Sequence, residues 1–240
     1  MPTALQRRHP TADTTRRPHR RDSRPTADTA RQAHRGDGRP GPAAEMRAGV
    51  RTLPGMALGF VRPARPSDAD EIARIQLTTW RVAYRRMVPA HVLDRLDEAY
   101  LARGWREAIE SPPSARHRVL VGVEQGESAF VVGFAASGPA DEQALAPDEK
   151  PLPDDVAAVT DLLVEPRWGR RGHGSRLLAA SVDLWREDGF GSAVAWVYDA
   201  DKVSQAFLAS TGWAPDGATR ALDVDDMLVN QFRLHVALAA

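Results

Sequence analysis

The chain has 240 residues, in which 32 Lys and Arg balance 32 Asp and Glu. It contains no cysteine, which excludes disulfides, thiolate metal sites and cysteine nucleophiles. Its longest apolar run, Phe130 to Ala136, falls far short of the roughly 20 residues a membrane-spanning helix needs.

The neutral total conceals two regions. Residues 1–56 carry 12 Arg, no Lys and 5 acids, a net +7, and residues 57–240 carry the compensating −7. All 15 aromatic residues lie at Phe60 or later. A basic segment with seven prolines and no aromatic buries too little apolar surface to offset the entropy of ordering it. The expectation is a disordered Arg/Pro-rich leader over 1–56 and one folded domain over 57–240. The leader repeats Pro-Thr-Ala-Asp-Thr at Pro10 and Pro25, but without apolar positions two copies cannot stack. It lacks the apolar stretch of a secretory signal. Met46 or Met56 is an alternative start. An electrostatic arm for nucleic acid is the other reading, weakened by the absence of aromatics for base stacking.

From Phe60 the elements follow in order. Residues 58–63 form a short strand. Ser67 is the expected N-cap of a helix over 68–86, because acids follow it and Ile72, Ile75, Gln76, Trp80, Ala83 and Met87 recur at helical spacing. A second helical region covers 90–110. Two strands, 119–123 and 130–134, are joined by a hairpin. The acidic, proline-bearing stretch 138–155 is a surface loop. A strand over 157–164, a Gly/Arg loop over 166–174 and a helix over 175–187 come next. Then follow a strand over 192–198, a short helix over 202–210 and two strands. Of those two only the last, 228–237, has clear bounds: Gln231, Arg233 and His235 alternate with Phe232, Leu234 and Val236. A parallel unit inside hairpin-linked strands implies an α/β mixed sheet with helices on both faces.

The loop Val164-Glu-Pro-Arg-Trp-Gly-Arg-Arg-Gly-His-Gly174-Ser175 carries the chemistry. Its glycines let several backbone N–H groups converge at a helix N-terminus, a natural anion site. Arg170 and Arg171 add donors suited to phosphate. The spacing is neither that of a dinucleotide fingerprint nor that of a P-loop. A phosphate-bearing ligand is the better reading; a plain β–α turn is the alternative.

These residues resemble the GNAT superfamily of acyl-CoA-dependent N-acyltransferases. Val164-x-Pro with Gly172-x-Gly174-Ser-x-Leu-Leu178 is similar to its acetyl-CoA loop. Asp201-x-x-Ser204-x-x-Phe207-Leu208-x-x-x-Gly212-Trp213 is similar to its second signature, and Trp80-Arg-Val-Ala-Tyr84 to a stretch found in one group of these enzymes. The resemblance spans about 58–240. It implies a V-shaped split between parallel strands 157–164 and 192–198, with acetyl-CoA as co-substrate and no metal. Pantetheine would bond the backbone of Leu162, Leu163 and Val164. Pyrophosphate would lie on the backbone N–H groups of Arg170, Arg171, Gly172, His173, Gly174 and Ser175, with Asp201, Ser204 and Phe207 also on the cofactor. The partner would be a small-molecule or peptide amine in the cytoplasm, with no membrane involved. A homodimer is left open.

The sequence departs from the family at three places. Gly169 and Arg170 stand where Gln or Arg and then Gly are usual, Asp201 replaces the usual Asn, and Leu208 replaces the usual Tyr that protonates the leaving thiolate. Tyr198 is the candidate replacement acid, or else an aromatic capping the sheet edge. Asp161 is the candidate base for the amine, or else a carboxylate satisfied by its neighbours. Arg81 and Tyr84 would face the acceptor pocket, or else pack within the helix or lie exposed. Arg233 and His235 would line it or face solvent, and Trp80, Trp105, Trp185 and Trp196 read as core. Leu208 also motivates a competing reading, an acyl-CoA-binding module without turnover.

Overall fold

The computed structural model describes residues 59–85 and 87–238. The expected leader over 1–56 lies outside them.

A strand β1, Phe60–Pro63, opens the fold and a 3-10 turn, Pro66–Asp68, leads into helix α1, Ala69–Ala83. Asp68, not Ser67, organises this start. Its carboxylate accepts from both Arg62 Nη atoms at 2.7 and 2.9 Å and from the Arg65 N–H at 2.6 Å. The expected helical region 90–110 divides into α2, Ala90–Asp94, and α3, Glu98–Glu110. The break is local: the Asp97 side chain accepts from Ala99 N and caps α3 afresh.

Strands β2, Arg118–Gln125, and β3, Ala129–Pro139, are longer than the apolar runs that marked them. Strand β4, Val156–Val164, helix α4, His173–Glu187, strand β5, Ser192–Tyr198, and helix α5, Lys202–Ala209, follow. The last hairpin is β6, Ala214–Val224, with β7, Met227–Ala237. β6 had no legible bounds because Pro215 and Gly217 interrupt its pattern; its pairing with β7 is irregular between Pro215 and Thr219. An edge strand tolerates both.

The seven strands form one sheet in the order β1-β2-β3-β4-β5-β7-β6. Only β4 and β5 are parallel, and their pairing ends at Val159 opposite Ala195. β4 continues to Val164 and β5 to Tyr198, so the strands part beyond that point. A bulge marks the same place: Ser137 pairs with Val159 and Ala136 with Asp161, leaving Thr160 extra. The bulge reverses the alternation along β4 and sends Asp161 and Leu163 toward the face covered by α1 and α3.

That face is filled by Ile72, Ile75, Trp105, Val121 and Phe134. Each fully buried isoleucine contributes on the order of 2 kcal/mol. The opposite face packs Leu178, Trp185, Phe190, Leu208 and Trp213 beneath α4 and α5. No described helix is long and apolar enough to cross a membrane.

Candidate active site

Where β4 and β5 part there is a cavity of about 160 Å³. Its walls come from both faces of the sheet. Leu162, Phe207 and Leu208 line it from the α4–α5 side. Trp80, Tyr84, Asp161 and Tyr198 line it from the α1 side, where Trp196, Arg220 and Gln231 extend it along the sheet. The cavity therefore connects the two faces through the gap between the strands.

The α1-side chamber gathers three titratable candidates. Tyr84 and Tyr198 meet edge to face with ring centroids 5.0 Å apart. Burial pushes the Tyr198 hydroxyl up to about 12, with Arg220 opposing and Asp161 and Asp201 reinforcing. Burial, then the charges of Tyr198, Asp201 and Asp161, raise Tyr84 well above its ordinary value. Asp161 is raised by desolvation to about 6, although Thr160 and Gln76 hydrogen bonds pull it down. Gln76 Nε2 donates to Asp161 Oδ1 at a long 3.5 Å. Its orientation is fixed from behind, since Trp105 Nε1 donates to Gln76 Oε1 at 2.8 Å. A carboxylate with its affinity for protons raised to near neutrality is a competent general base.

The outer end of the site is made of backbone. Helix α4 begins at His173, two residues earlier than its sequence suggested, with Gly172 as N-cap at φ +79°. Arg176 N closes the first turn on Gly172 O at 3.0 Å. The N–H groups of Gly172, His173, Gly174 and Ser175 thus precede the first intrahelical bond and sit at the positive end of the helix dipole. A Cβ on Gly174 would lie 3.5 Å from Phe207 Cζ and 3.9 Å from Val164 Cγ2. This puts the helix start beside Phe207, a cavity wall. Arg170 adopts φ +62°, a conformation that a glycine holds without strain. The Arg171 guanidinium lies 4.8 Å from the Trp168 ring centre, and Arg171 O accepts from Arg176 Nη2 at 3.1 Å.

The His173 side chain is turned into the protein. Its ring is buried, with Nε2 3.1 Å from Glu124 Oε2, while Nδ1 accepts from Arg176 Nη1 at 3.3 Å. Burial lowers its proton affinity, against the pull of Glu124. What His173 offers at the loop surface is its N–H, not its imidazole. Asp201 and Ser204 are turned toward each other. Asp201 Oδ1 accepts from Ser204 N at 3.0 Å and Oδ2 from Ser204 Oγ at 2.7 Å, which caps α5. Both still line the cavity, as do Leu162 and Leu163. Leu208 is buried in the core beneath α5.

The remaining candidates divide. Arg81 is exposed and does not line the cavity. Trp80 and Tyr84 share the face of α1 turned to the sheet, and Arg81 points about 100° away from Trp80. Trp196 is not simple core: it lines the cavity and donates from Nε1 to Ala144 O at 3.0 Å. Arg233 neither faces solvent nor lines the cavity; it is buried between Glu149 and Asp216. His235 is exposed. Arg220, Gln231 and Gln76 were missed. Periodicity placed Gln76 and Gln231 on faces, but nothing local paired Gln76 with Asp161, 85 positions away, or Gln231 with Arg220 across the β6–β7 hairpin.

The sheet is thus split between β4 and β5, with an anion-suited helix start at one end of the split and a buried carboxylate at the other. The chain belongs to the acetyltransferase (GNAT) family, whose model matches residues 75–213. It is 28% identical over 139 residues to an uncharacterized N-acetyltransferase, YuaI, of Bacillus subtilis (strain 168), covering 58% of this chain and 71% of that protein. Two solved structures share the fold. The PaiA N-acetyltransferase of Thermoplasma acidophilum, solved with coenzyme A, superposes with a TM-score of 0.54 at 12% identity over 75% of this chain and 99% of its own. YncA of Salmonella typhimurium, solved with acetyl-CoA, has a TM-score of 0.54 at 16% identity over 77% and 96%.

Proposed function

We propose that residues 57–240 form an acyltransferase domain that moves an acetyl group from acetyl-CoA directly to a small-molecule or peptide amine. The cavity at the β4–β5 split carries this reading: it opens on the Asp161–Tyr198 chamber, and one of its walls, Phe207, lies against the α4 start at Gly174.

The residues present fit the co-substrate. The N–H groups of Gly172 to Ser175 suit a pyrophosphate, and Gly174 leaves room for it where a longer side chain would fill the approach past Phe207. Among the described residues, the edge of β4 from Thr160 to Val164 that faces the split has no strand partner, so it can bond a pantetheine amide. Bound there, acetyl-CoA supplies an activated thioester carbonyl. Asp161 Oδ accepts a proton from the incoming ammonium, which leaves the amine nucleophilic. Tyr198 Oη holds a proton at ordinary pH and can give it to the departing sulfur, the role that Leu208 cannot fill, and the second proton that the nitrogen sheds as the amide forms restores the Tyr198 hydroxyl. Backbone N–H near Val164 stabilises charge developing on the carbonyl oxygen. The absence of cysteine agrees with direct attack and fits a reducing compartment such as the cytoplasm.

Thiol release from acetyl-CoA over a panel of amines tests the reading. Amine-dependent release is expected. A clear thermal shift with CoA and no release with any amine would instead establish a binding module.

A further inference from the structure

The acidic segment between β3 and β4 reads in sequence as a plain surface loop. In the structure residues 141–149 are tied across the split. The segment leaves β3 at Pro139 and enters β4 at Val156, so covalently it belongs to the β3–β4 half. Its anchors come from the other half. Trp196 of β5 donates from Nε1 to Ala144 O at 3.0 Å, and Arg220 of β6 donates from Nη1 to Gln143 O at 2.7 Å. Arg233 of β7 donates from Nη1 to the same Ala144 O at 2.8 Å. It also grips Glu149 through Nη1 and Nη2 at 2.7 and 2.6 Å, and Asp216 through Nε at 2.7 Å. Glu149 Oε2 accepts in addition from Ala146 N at 2.7 Å, which closes the segment on itself.

Arg233 is 4% exposed. Only a planar fork of donors can hold two carboxylates and a carbonyl at once, so lysine is not equivalent here. β4 and β5 pair directly only from Val156–Ser192 to Val159–Ala195. The segment is a second tie over that junction, and Asp141 and Gln143 on it form a wall of the cavity.

We infer that Arg233 is a positioning residue for acceptor selectivity: it clamps 141–149 across the split and so fixes the wall against which the amine must fit. This rests on reading the α1-side chamber as the acceptor site. The clamp lies away from the α4 start, so it acts on the amine and not on CoA. A merely structural role would lower stability and leave selectivity alone.

The test uses the full chain with Arg233→Gln, Arg233→Lys and Glu149→Gln. Glu149→Gln leaves Arg233 paired with Asp216 and guards against a misfolded Arg233→Gln. Linear and branched primary amines are assayed with acetyl-CoA, CoA affinity is measured by calorimetry, and amide exchange is followed by mass spectrometry. Exchange should quicken in 141–149 and not in α4, and CoA affinity should be unchanged. KM for the preferred amine should rise about tenfold or more, as misplacement of a site wall does. Discrimination between linear and branched amines should shrink, with Arg233→Lys intermediate. Unchanged exchange in 141–149, an unchanged selectivity ratio, or parallel loss of CoA and amine affinity would overturn the inference. If the wild-type protein acetylates none of the amines, the catalytic reading fails and the selectivity role with it. Exchange still decides the clamp: faster exchange upholds it and unchanged exchange overturns it.

Discussion

The two ends of the split are built on different principles. The α4 end uses backbone groups from consecutive residues, Gly172 to Ser175, whose donors exist because a helix begins there. The α1-side chamber uses side chains from positions 76, 84, 161 and 198, supplied by separate elements and brought together by the sheet. The first is robust to side-chain change, which is why Gly169 and Arg170 can depart from the family pattern. The second depends on each side chain and on the bulge at Thr160 that aims Asp161. Ligand affinity should thus fail when the α4 end is blocked, and chemistry when a single chamber group is removed.

The sharpest way to break the contrast is Gly174→Glu. The added Cβ meets only ordinary contacts, the nearest 3.5 Å away, and an acid in the first helical turn suits the dipole. The domain should stay folded while CoA binding is abolished. Wild-type protein at about 100 times the Kd should gain about 2.7 kcal/mol from CoA in a thermal-shift titration, and the variant none. Retained binding would remove the α4 start from the site.

Asp161→Asn probes the other end. Loss of a general base should lower kcat/KM by about 10²–10⁴-fold at pH 8 with CoA affinity intact. In the wild type kcat/KM should rise with pH through about 6, as the carboxylate loses its proton. Stability moves the opposite way. The folded state holds this proton more tightly than the unfolded chain, whose value is 3.8. The stabilising contribution is therefore complete below 3.8 and is lost as pH rises through about 6. At pH 8 the ionised carboxylate costs on the order of 1–3 kcal/mol, so Asp161→Asn should melt later than wild type there. A flat pH profile or a destabilised variant would contradict the assignment.

Two smaller effects test the frame between the ends. A Cβ on Gly133 would lie 2.6 Å from Leu163 O and 3.1 Å from Val164 Cα. Backbone cannot yield cheaply, so Gly133→Ala should cost about 1–3 kcal/mol in a denaturant titration and weaken CoA binding through displaced β4. Arg170→Gly should gain about 0.5–1 kcal/mol by relieving its left-handed backbone. A loss of stability would mean that Arg170 makes contacts outweighing the strain.

The same contrast explains what was legible in the sequence. The α4 loop was readable because its glycines, arginines and following helix are contiguous. Asp161 and Tyr198 could be nominated only from their places on the two strands that the family resemblance splays apart. The Trp105–Gln76–Asp161 relay was not readable, since Gln76 looked like any polar residue on an amphipathic helix. Arg233 was misjudged for the same reason: strand alternation puts it on a polar face but does not reveal that Glu149 and Asp216 wait there. The start of α4 was misplaced by two residues because His173 looked like loop and not like a buried first-turn residue.

A ligand bound at both the α4 start and the Asp161–Tyr198 chamber must run through the β4–β5 split. A crystal structure with CoA bound tests it most directly. Pyrophosphate is expected on the N–H groups of Gly172 to Ser175, and the sulfur in the split, within hydrogen-bond reach of Tyr198 Oη. A sulfur facing Leu208 with Tyr198 beyond reach, or a pyrophosphate bound away from α4, would contradict it.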